Sequence, residues 1–207
     1  MSAEPQILSK KDLPIDQAKW VTLKVIEYKD QDGANRKWEV AERKTRKGEI
    51  DAVAILALLH SKKKGFKTST VIIEQYRPPI EKYVIEMPAG LVDANESPEK
   101  AAIRELEEET GYKASDVVES SPILVGDPGM TTANMRLITL NVTLAEDAPP
   151  PKQKLDAGEH IVVRVIELDS LNDELKAYAK RGFAIDAKLA HFAFGWDMAR
   201  KVTGASS

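Results

Sequence analysis

The chain has 207 residues, 43% of them hydrophobic and 30% charged, with a formal net charge of -3 at pH 7 and a pI near 5.8. This composition predicts a folded protein with a sizeable core and no general affinity for nucleic acid or anionic membranes. The absence of cysteine excludes disulfides, thiolate zinc sites and cysteine nucleophiles.

The three histidines lack metal-ligand spacing, so oxygen ligands and a hard cation such as Mg²⁺ or Mn²⁺ are expected for any metal site. No apolar run is long enough to span a bilayer, and the N-terminus lacks the apolar core of a signal peptide. We therefore expect a cytoplasmic protein, with a nuclear location also compatible.

The hydrophobic pattern predicts a loose arm over residues 1–17, followed by strands and a few helices. Strands are expected at 19–30, 35–45, 51–60, 69–76, 83–90, 122–126, 136–144 and 159–168. Ser97 and Pro98 suit the N-cap and the first position of a helix, and further helical patterns occupy about 169–181 and 186–202. Strands mixed with few helices predict a layered α/β or α+β core.

The stretch RELEEETG, residues 104–111, places four glutamates near the C-terminal end of the first predicted helix. The helix dipole is negative there and disfavours carboxylates by roughly 0.3–1 kcal/mol each. Glu105, Glu108 and Glu109 share one sector beside the apolar stripe, and the single Arg104 cannot neutralise all the acids. The simplest alternative is a solvated acidic face, whereas a divalent cation would turn the repulsion into coordination.

The spacing upstream favours the cation. Five residues separate Gly90 from Glu96, and seven more lead to RELEEETGY. The stretch resembles the Nudix box at every fixed position: Gly90, Glu96, Arg104, Glu105, Leu106, Glu108, Glu109 and Gly111. Tyr112 departs mildly from the box, because an aliphatic residue is more usual there.

The resemblance to Nudix hydrolases implies cleavage of a diphosphate linked to another moiety. It also implies a mixed β-sheet sandwiched between helices. The implied metal ligands are Glu105, Glu108, Glu109 and the carbonyl oxygen of Ala89. Arg104 would orient these glutamates, and Glu96 would brace the loop. Mg²⁺ is the implied cofactor, with Mn²⁺ as a substitute, because diphosphate hydrolysis requires neutralised charge on the phosphate oxygens.

Features outside the box resemble the ADP-ribose pyrophosphatases, in particular the ADP-sugar enzymes of eukaryotes. Pro128 lies sixteen residues after Tyr112, a spacing typical of that subgroup. In those enzymes an N-terminal sheet is exchanged across a homodimer, and aromatic residues of both subunits sandwich the adenine. The positions that match their substrate contacts are Trp20, Trp38, Glu39, Arg43, Arg77 and Pro128. Each has a simpler alternative as a packing residue, a surface charge or a turn proline.

Glu159 is the candidate general base. It follows Gly158 in a long loop at 147–158, just before a predicted strand. By resemblance a carboxylate in this position activates the attacking water, and a loop would let it move over bound substrate. The simpler alternative is an exposed loop acid.

The sequence thus predicts an N-terminal arm and dimerising β-sheet at 1–48 and a Nudix hydrolase domain at 49–207. The expected reaction is Mg²⁺-dependent hydrolysis of ADP-ribose to AMP and ribose 5-phosphate by a homodimer with shared active sites. Alternatives are another ADP-sugar, an oxidised nucleotide or a dinucleotide as substrate, or a catalytically weak ADP-ribose sensor. An acidic Ca²⁺-binding module is disfavoured because the EF-hand spacing is missing.

Overall fold

A computed structural model describes residues 4–146 and 149–204. The strands are β1 Val21–Lys29, β2 Asn35–Arg43, β3 Ala52–Ser61, β4 Ser69–Arg77, β5 Lys82–Glu86, β6 Ala89–Leu91, β7 Asp116–Ser120, β8 Leu124–Val125, β9 Asn134–Leu144, β10 Ile161–Glu167 and β11 Ala184–Ile185. The helices are α1 Pro98–Thr110, α2 Leu171–Lys180 and α3 Ala187–Thr203. The predicted arm at 1–17 and loop at 147–158 begin outside the described residues, at 1–3 and 147–148.

The main sheet is mixed, which confirms the predicted fold class. Its strands lie in the order β11-β5-β4-β3-β9-β7, while β10 pairs with β4, β6 with β3 and β8 with β9. The central pair β3–β9 is parallel over the whole of β3, and β3–β4 and β4–β5 are antiparallel. A separate two-stranded antiparallel sheet is formed by β1 and β2.

Helices cover both faces of the main sheet because the side chains of β3 alternate between two cores. Ile55 packs in one cluster with Ala102 and Leu106 of α1. Leu56 packs in the other with Leu171 of α2 and, beyond it, residues of α3. Full burial of a side chain such as Leu106 contributes about 1.5–3 kcal/mol, so this packing fixes α1, the glutamate helix, on the sheet.

The strand predicted at 83–90 is two strands with different partners. β5 pairs with β4, whereas β6 pairs with β3. The interruption falls at Met87 and Pro88, and Pro88 has no N–H to continue a ladder. Its carbonyl oxygen instead accepts a hydrogen bond from the N–H of Ile55 at 2.8 Å. The short strand β7 was not predicted; its register shifts between Val117 and Glu119.

The β1–β2 hairpin is tied to the main body by polar contacts. Arg46, just beyond β2, donates two hydrogen bonds to the buried carboxylate of Asp51 and a third to the carbonyl oxygen of Thr132. Burial alone would raise the pKa of Asp51, but the bonds from Arg46 and from the N–H of Asn134 outweigh it and lower that pKa. The N–H of Ala41 also donates to Met130 at 2.9 Å.

In residues 4–146 and 149–204, no helix combines the length and the hydropathy needed to cross a membrane.

Candidate active site

The glutamate helix begins and ends where the sequence predicts. The hydroxyl of Ser97 accepts a hydrogen bond from the N–H of Lys100 at 3.3 Å, and Pro98 is the first helical residue. Gly111 ends the helix in the left-handed region with φ 76°, and its N–H donates to the carbonyl oxygen of Glu107. The acids therefore lie in the last two turns, as predicted.

A polar cavity of about 370 Å³ opens at this end of α1. The predicted site residues that line it are Arg77, Ala89, Gly90, Arg104, Glu105, Glu108, Glu109 and Glu159. The structure thus brings the carboxylates, the candidate base and one of the predicted substrate contacts to a single place. Their roles stay predictions.

Arg104 holds two of the acids on one side of the cavity. One terminal nitrogen lies 2.7 Å from a carboxylate oxygen of Glu105 and 3.0 Å from one of Glu108. Its other nitrogens donate to both oxygens of Glu96 and to the carbonyl oxygen of Leu91. The bonds from Arg104 lower the pKa of Glu96, and those from Glu96 raise the pKa of the guanidinium. This geometry is what an orienting arginine and a bracing Glu96 require.

Glu109 is the most buried of the acids, with 6% of its surface exposed. Burial raises its pKa to about 8, although one carboxylate oxygen accepts a hydrogen bond from the N–H of Ala89 at 3.0 Å. The charges of Glu105 and Glu159 add to the rise. Burial also raises the pKa of Glu105, against the opposing effect of Arg104. A nearby cation would lower these pKa values and stabilise the carboxylates as anions.

Gly90 makes room for Glu105. A Cβ atom on residue 90 would lie 1.9 Å from the carboxyl carbon of Glu105, so the Glu105 side chain would have to move from this position. The glycine therefore lets an anionic side chain stand directly against β6.

A divalent cation fits this donor set chemically, because the carboxylates of Glu105, Glu108 and Glu109 all line one cavity with a single arginine of the same helix, Arg104. Within residues 4–146 and 149–204, no three His, Asp or Glu side chains already stand close enough to form a complete ligand set. The reason is visible in the hydrogen bonds: Glu105 and Glu108 point towards Arg104, and Glu109 points towards Ala89. Coordination would require rotation of these carboxylates.

Glu159 lies on a turn at the cavity rim. Its N–H donates to the carbonyl oxygen of Asp156 at 3.0 Å, and Gly158 has φ 90°, as a type II turn requires. The carboxylate of Glu159 folds back to accept the N–H of Asp156 at 3.1 Å. In this position it faces the same cavity as the helix glutamates.

Arg77 is an ion-pair partner that also lines the cavity, and its role as a substrate contact stays a prediction. Its Nε donates to Glu86 at 2.8 Å, so it is an ion-pair partner on neighbouring strands, and it also lines the cavity. An arginine held in this way keeps further N–H groups available for a phosphate oxygen.

The remaining predicted substrate contacts lie away from this cavity within one chain: Trp20, Trp38, Glu39, Arg43 and Pro128. The two tryptophans do not oppose each other, because Trp38 pairs with Ile26 and Trp20 precedes β1. Both are exposed, at 61% for Trp20 and 50% for Trp38. The indole N–H of Trp38 donates to Gly129, next to Pro128, at 2.9 Å.

Several cavity residues were missed from the sequence: Gln75, Leu91, Asp93, Lys154 and Asp156. Gln75 had a usable signal, because it precedes Arg77 by two on β4 and so shares its face. Its Oε1 atom is buried without a hydrogen-bond partner among the described residues. Lys154 and Asp156 carried no periodic signal.

Gly111 also permits close contact between α1 and the loop before β10. A Cβ atom there would lie 2.6 Å from the carbonyl oxygen of Lys152. We expect Gly111→Ala to lower the free energy of unfolding by about 2–4 kcal/mol, because a left-handed alanine costs about 1–2 kcal/mol before any clash. Urea unfolding measures this change in the free energy of unfolding.

Gly33→Ala is the control, because Gly33 has φ 80° and open space around its Cβ position. Equal losses of unfolding free energy in both variants would show that the contact with Lys152 is irrelevant.

Comparison with known proteins gives consistent matches. Residues 49–186 match the model of the NUDIX domain. An uncharacterized Nudix hydrolase of Schizosaccharomyces pombe is 44% identical, covering 93% of both chains. The ADP-ribose pyrophosphatase of Saccharomyces cerevisiae is 40% identical over 88% of this chain and 79% of its own length. The ADP-sugar pyrophosphatase of Mus musculus is 37% identical over 87% of this chain and 82% of its own length.

A crystal structure of an ADP compounds hydrolase superimposes with a TM-score of 0.64, covering 99% of this chain and 98% of that one. Its sequence identity is 20%, so this likeness concerns the fold.

Proposed function

Because this chain belongs to the Nudix family of hydrolases, we propose that it hydrolyses the diphosphate of ADP-ribose to AMP and ribose 5-phosphate, with other ADP-sugars as further substrates. The observation that carries the proposal is the cavity that Glu105, Glu108 and Glu109 line together with Arg104 and Glu159. The names of the yeast and mouse relatives support the ADP-ribose class.

Nudix hydrolases use a divalent metal, and we propose Mg²⁺ for this chain, with Mn²⁺ as a substitute. Glu105, Glu108, Glu109 and the carbonyl oxygen of Ala89 would hold it. When bound, the metal neutralises charge on the phosphate oxygens. The raised pKa values of Glu105 and Glu109 support this assignment, because a nearby cation restores their anionic forms.

The chain's own residues supply the remaining functions. Arg104 keeps the carboxylates oriented, and Arg77 donates to a phosphate oxygen at the cavity wall. Glu159 accepts a proton from the attacking water, whose oxygen forms a bond to phosphorus while the bond to the bridging oxygen breaks. To do so, its carboxylate must leave the N–H of Asp156.

We further propose a homodimer in which each active site combines the β1–β2 hairpin of one subunit with the acids of the other. The hairpin exposes apolar side chains such as Leu23 and Val25, and a two-stranded sheet is marginal unless such a face is covered. Consecutive residues of a strand face opposite sides, so Trp38 and Glu39 lie on opposite faces of the hairpin. In a dimer, one ligand could contact Trp38 of one chain and Glu39 of the other. The cytoplasmic location and the division at residues 48 and 49 stay predictions.

Hydrolysis of a substrate panel in H₂¹⁸O tests the function. ADP-ribose, another ADP-sugar, an oxidised nucleoside diphosphate and a dinucleotide are each incubated with the protein and Mg²⁺. We expect AMP to form fastest from ADP-ribose, with the ¹⁸O on one of the two phosphate products. Faster turnover of a compound without an ADP-sugar structure would overturn the substrate. Tight ADP-ribose binding without turnover in Mg²⁺ or Mn²⁺ would indicate a sensor.

Trp38 should contribute to adenine binding. We expect Trp38→Ala to weaken ADP-ribose binding by roughly 1–3 kcal/mol, the range for removing an aromatic that stacks on a base. Ribose 5-phosphate should bind almost unchanged. Calorimetry measures both affinities, and all variants carry Glu109→Gln in addition so that the substrate is not hydrolysed during the measurement.

Two variants control for other effects of Trp38. Trp38→Phe keeps a ring but loses the bond to Gly129, and Phe194→Ala removes an exposed aromatic on α3. Equal losses for ADP-ribose and ribose 5-phosphate in Trp38→Ala would make Trp38 a structural residue.

A further inference from the structure

The side-chain amide of Gln153 joins the end of α1 to the start of β10, next to the cavity-lining residue Lys154. Its Nε2 lies 2.6 Å from the carbonyl oxygen of Glu109 and 3.0 Å from that of Ile161. Glu109 belongs to the last turn of α1, and Ile161 is the first residue of β10. One NH₂ group thus connects the helix that carries the acids to both ends of the segment 154–160.

The segment 154–160 carries the side chains that close this side of the cavity. Lys154, Asp156 and Glu159 all line it. No helix or strand is assigned to the segment, and its own internal bonds form the turn between Asp156 and Glu159. Its placement over the acids therefore depends on how its two ends are held.

The first end is held by two bonds to consecutive carbonyl oxygens of α1 and by an exposed ion pair between Lys154 and Glu107. The N–H of Lys154 donates to Glu108 at 2.8 Å, and Gln153 donates to Glu109. These carbonyls have no partner within a helix that ends at Gly111. The second end, at Ile161, receives the other hydrogen of Gln153.

A donor that spans both ends restricts the movement of everything between them. Neither the pairing of β10 with β4 nor the bond from the N–H of Lys154 to Glu108 involves the Gln153 side chain. The expected effect is therefore a shift of the segment relative to α1. A displacement of this kind changes the distance between the carboxylate of Glu159 and a water near the acids, to which proton transfer is sensitive.

We propose that Gln153 is a positioning residue for Glu159, acting by fixing the segment 154–160 between the end of α1 and the start of β10. The inference rests on the proposed function, in which Glu159 is the general base. Gln153 itself need not touch the substrate.

A double-mutant cycle tests the proposal with Gln153→Met, Glu159→Gln and the combined variant. Methionine has a similar length but cannot donate. We expect Glu159→Gln to lower kcat for ADP-ribose about 100-fold or more, and Gln153→Met about 10-fold with KM changed less than about twofold. The combined variant should match Glu159→Gln alone, because Gln153 has nothing left to position.

Two further measurements exclude an indirect effect through Glu109 or through folding. The Mg²⁺ concentration that gives half the maximal rate should be the same in Gln153→Met and in the unaltered protein. The melting temperature should change too little to unfold the protein at the assay temperature, and Gln153→Glu serves as a second variant if methionine prevents folding. Glutamate places an oxygen opposite two carbonyl oxygens and should lower kcat at least as much as methionine.

The outcomes separate the two hypotheses. If Glu159→Gln retains full activity, the general-base assignment in the proposed function is wrong. Glu159→Gln could be impaired while Gln153→Met lowers kcat by the same factor whether residue 159 is glutamate or glutamine. In that case Glu159 keeps its role and the positioning proposal is overturned. A changed Mg²⁺ requirement in Gln153→Met would likewise overturn it, in favour of an effect on Glu109.

Discussion

Replacement of Glu109 by glutamine should lower kcat/KM for ADP-ribose by about 10³-fold at limiting Mg²⁺, the scale expected when a preorganised electrostatic group is lost. The physical reason is that Glu109, the most buried of the helix acids, would supply an anionic oxygen to the metal. Glutamine keeps the volume and leaves an oxygen that can accept the N–H of Ala89. The fold should therefore survive.

The same substitution has a second signature in metal-free protein. The pKa of Glu109 is about 8, well above its usual value of 4.5, so the folded state holds a proton that the unfolded state releases. The free energy of unfolding should then fall as pH rises from about 4.5 to about 8. Glu109→Gln should lack this part of the pH dependence. Urea unfolding with EDTA at several pH values measures it.

Glu107→Gln is the matched control on the same helix. Glu107 does not line the cavity and pairs with Lys154 and Lys113. We expect close to normal activity from this variant at every Mg²⁺ concentration. Equal losses in the two variants, or normal turnover by Glu109→Gln at limiting Mg²⁺, would show that the helix acids act in some other way than as metal ligands.

Activity should return when two inactive subunits are combined. One chain carries Glu109→Gln and keeps its tryptophans, and the other carries Trp20→Ala and Trp38→Ala and keeps its acids. If hairpins and acids of different subunits build each site, one site of the heterodimer regains the acids and at least one aromatic residue. Some ADP-ribose hydrolysis should then appear after subunit exchange.

The experiment requires verified heterodimers, for example by two different affinity tags purified in sequence. A mixture of two Glu109→Gln chains is the control and should stay inactive. Persistent inactivity of heterodimers would mean that each chain builds its own site. A monomer at micromolar concentration would remove the shared site altogether.

The parts of the molecule that follow a period or a local rule could be predicted from the sequence. The limits of α1 followed from Ser97, Pro98 and Gly111, and the core strands from their runs of aliphatic residues. The break at Pro88 was missed because the residues around it read as one apolar segment, although a proline within a strand was a warning.

The polar contacts between distant segments could not be predicted. Gln153 lies in a stretch of mixed polar and proline residues, and nothing in its neighbourhood indicates that it bonds Glu109 and Ile161. Arg46 and Asp51 are similar: no local pattern indicates that they join the hairpin to the main body. Such contacts form only when the fold brings distant segments together, and no periodic pattern in the sequence predicts them.

The docking of the segment before β10 on the end of α1 has a consequence for the order of folding during synthesis. The partner that bonds Glu109 stands 44 residues further along the chain. At roughly 5–20 residues per second, those residues take about 2–9 s to be made. Until they arrive, the last turn of α1 has exposed carbonyl groups and crowded acids, so it should fray on the ribosome and become ordered only late.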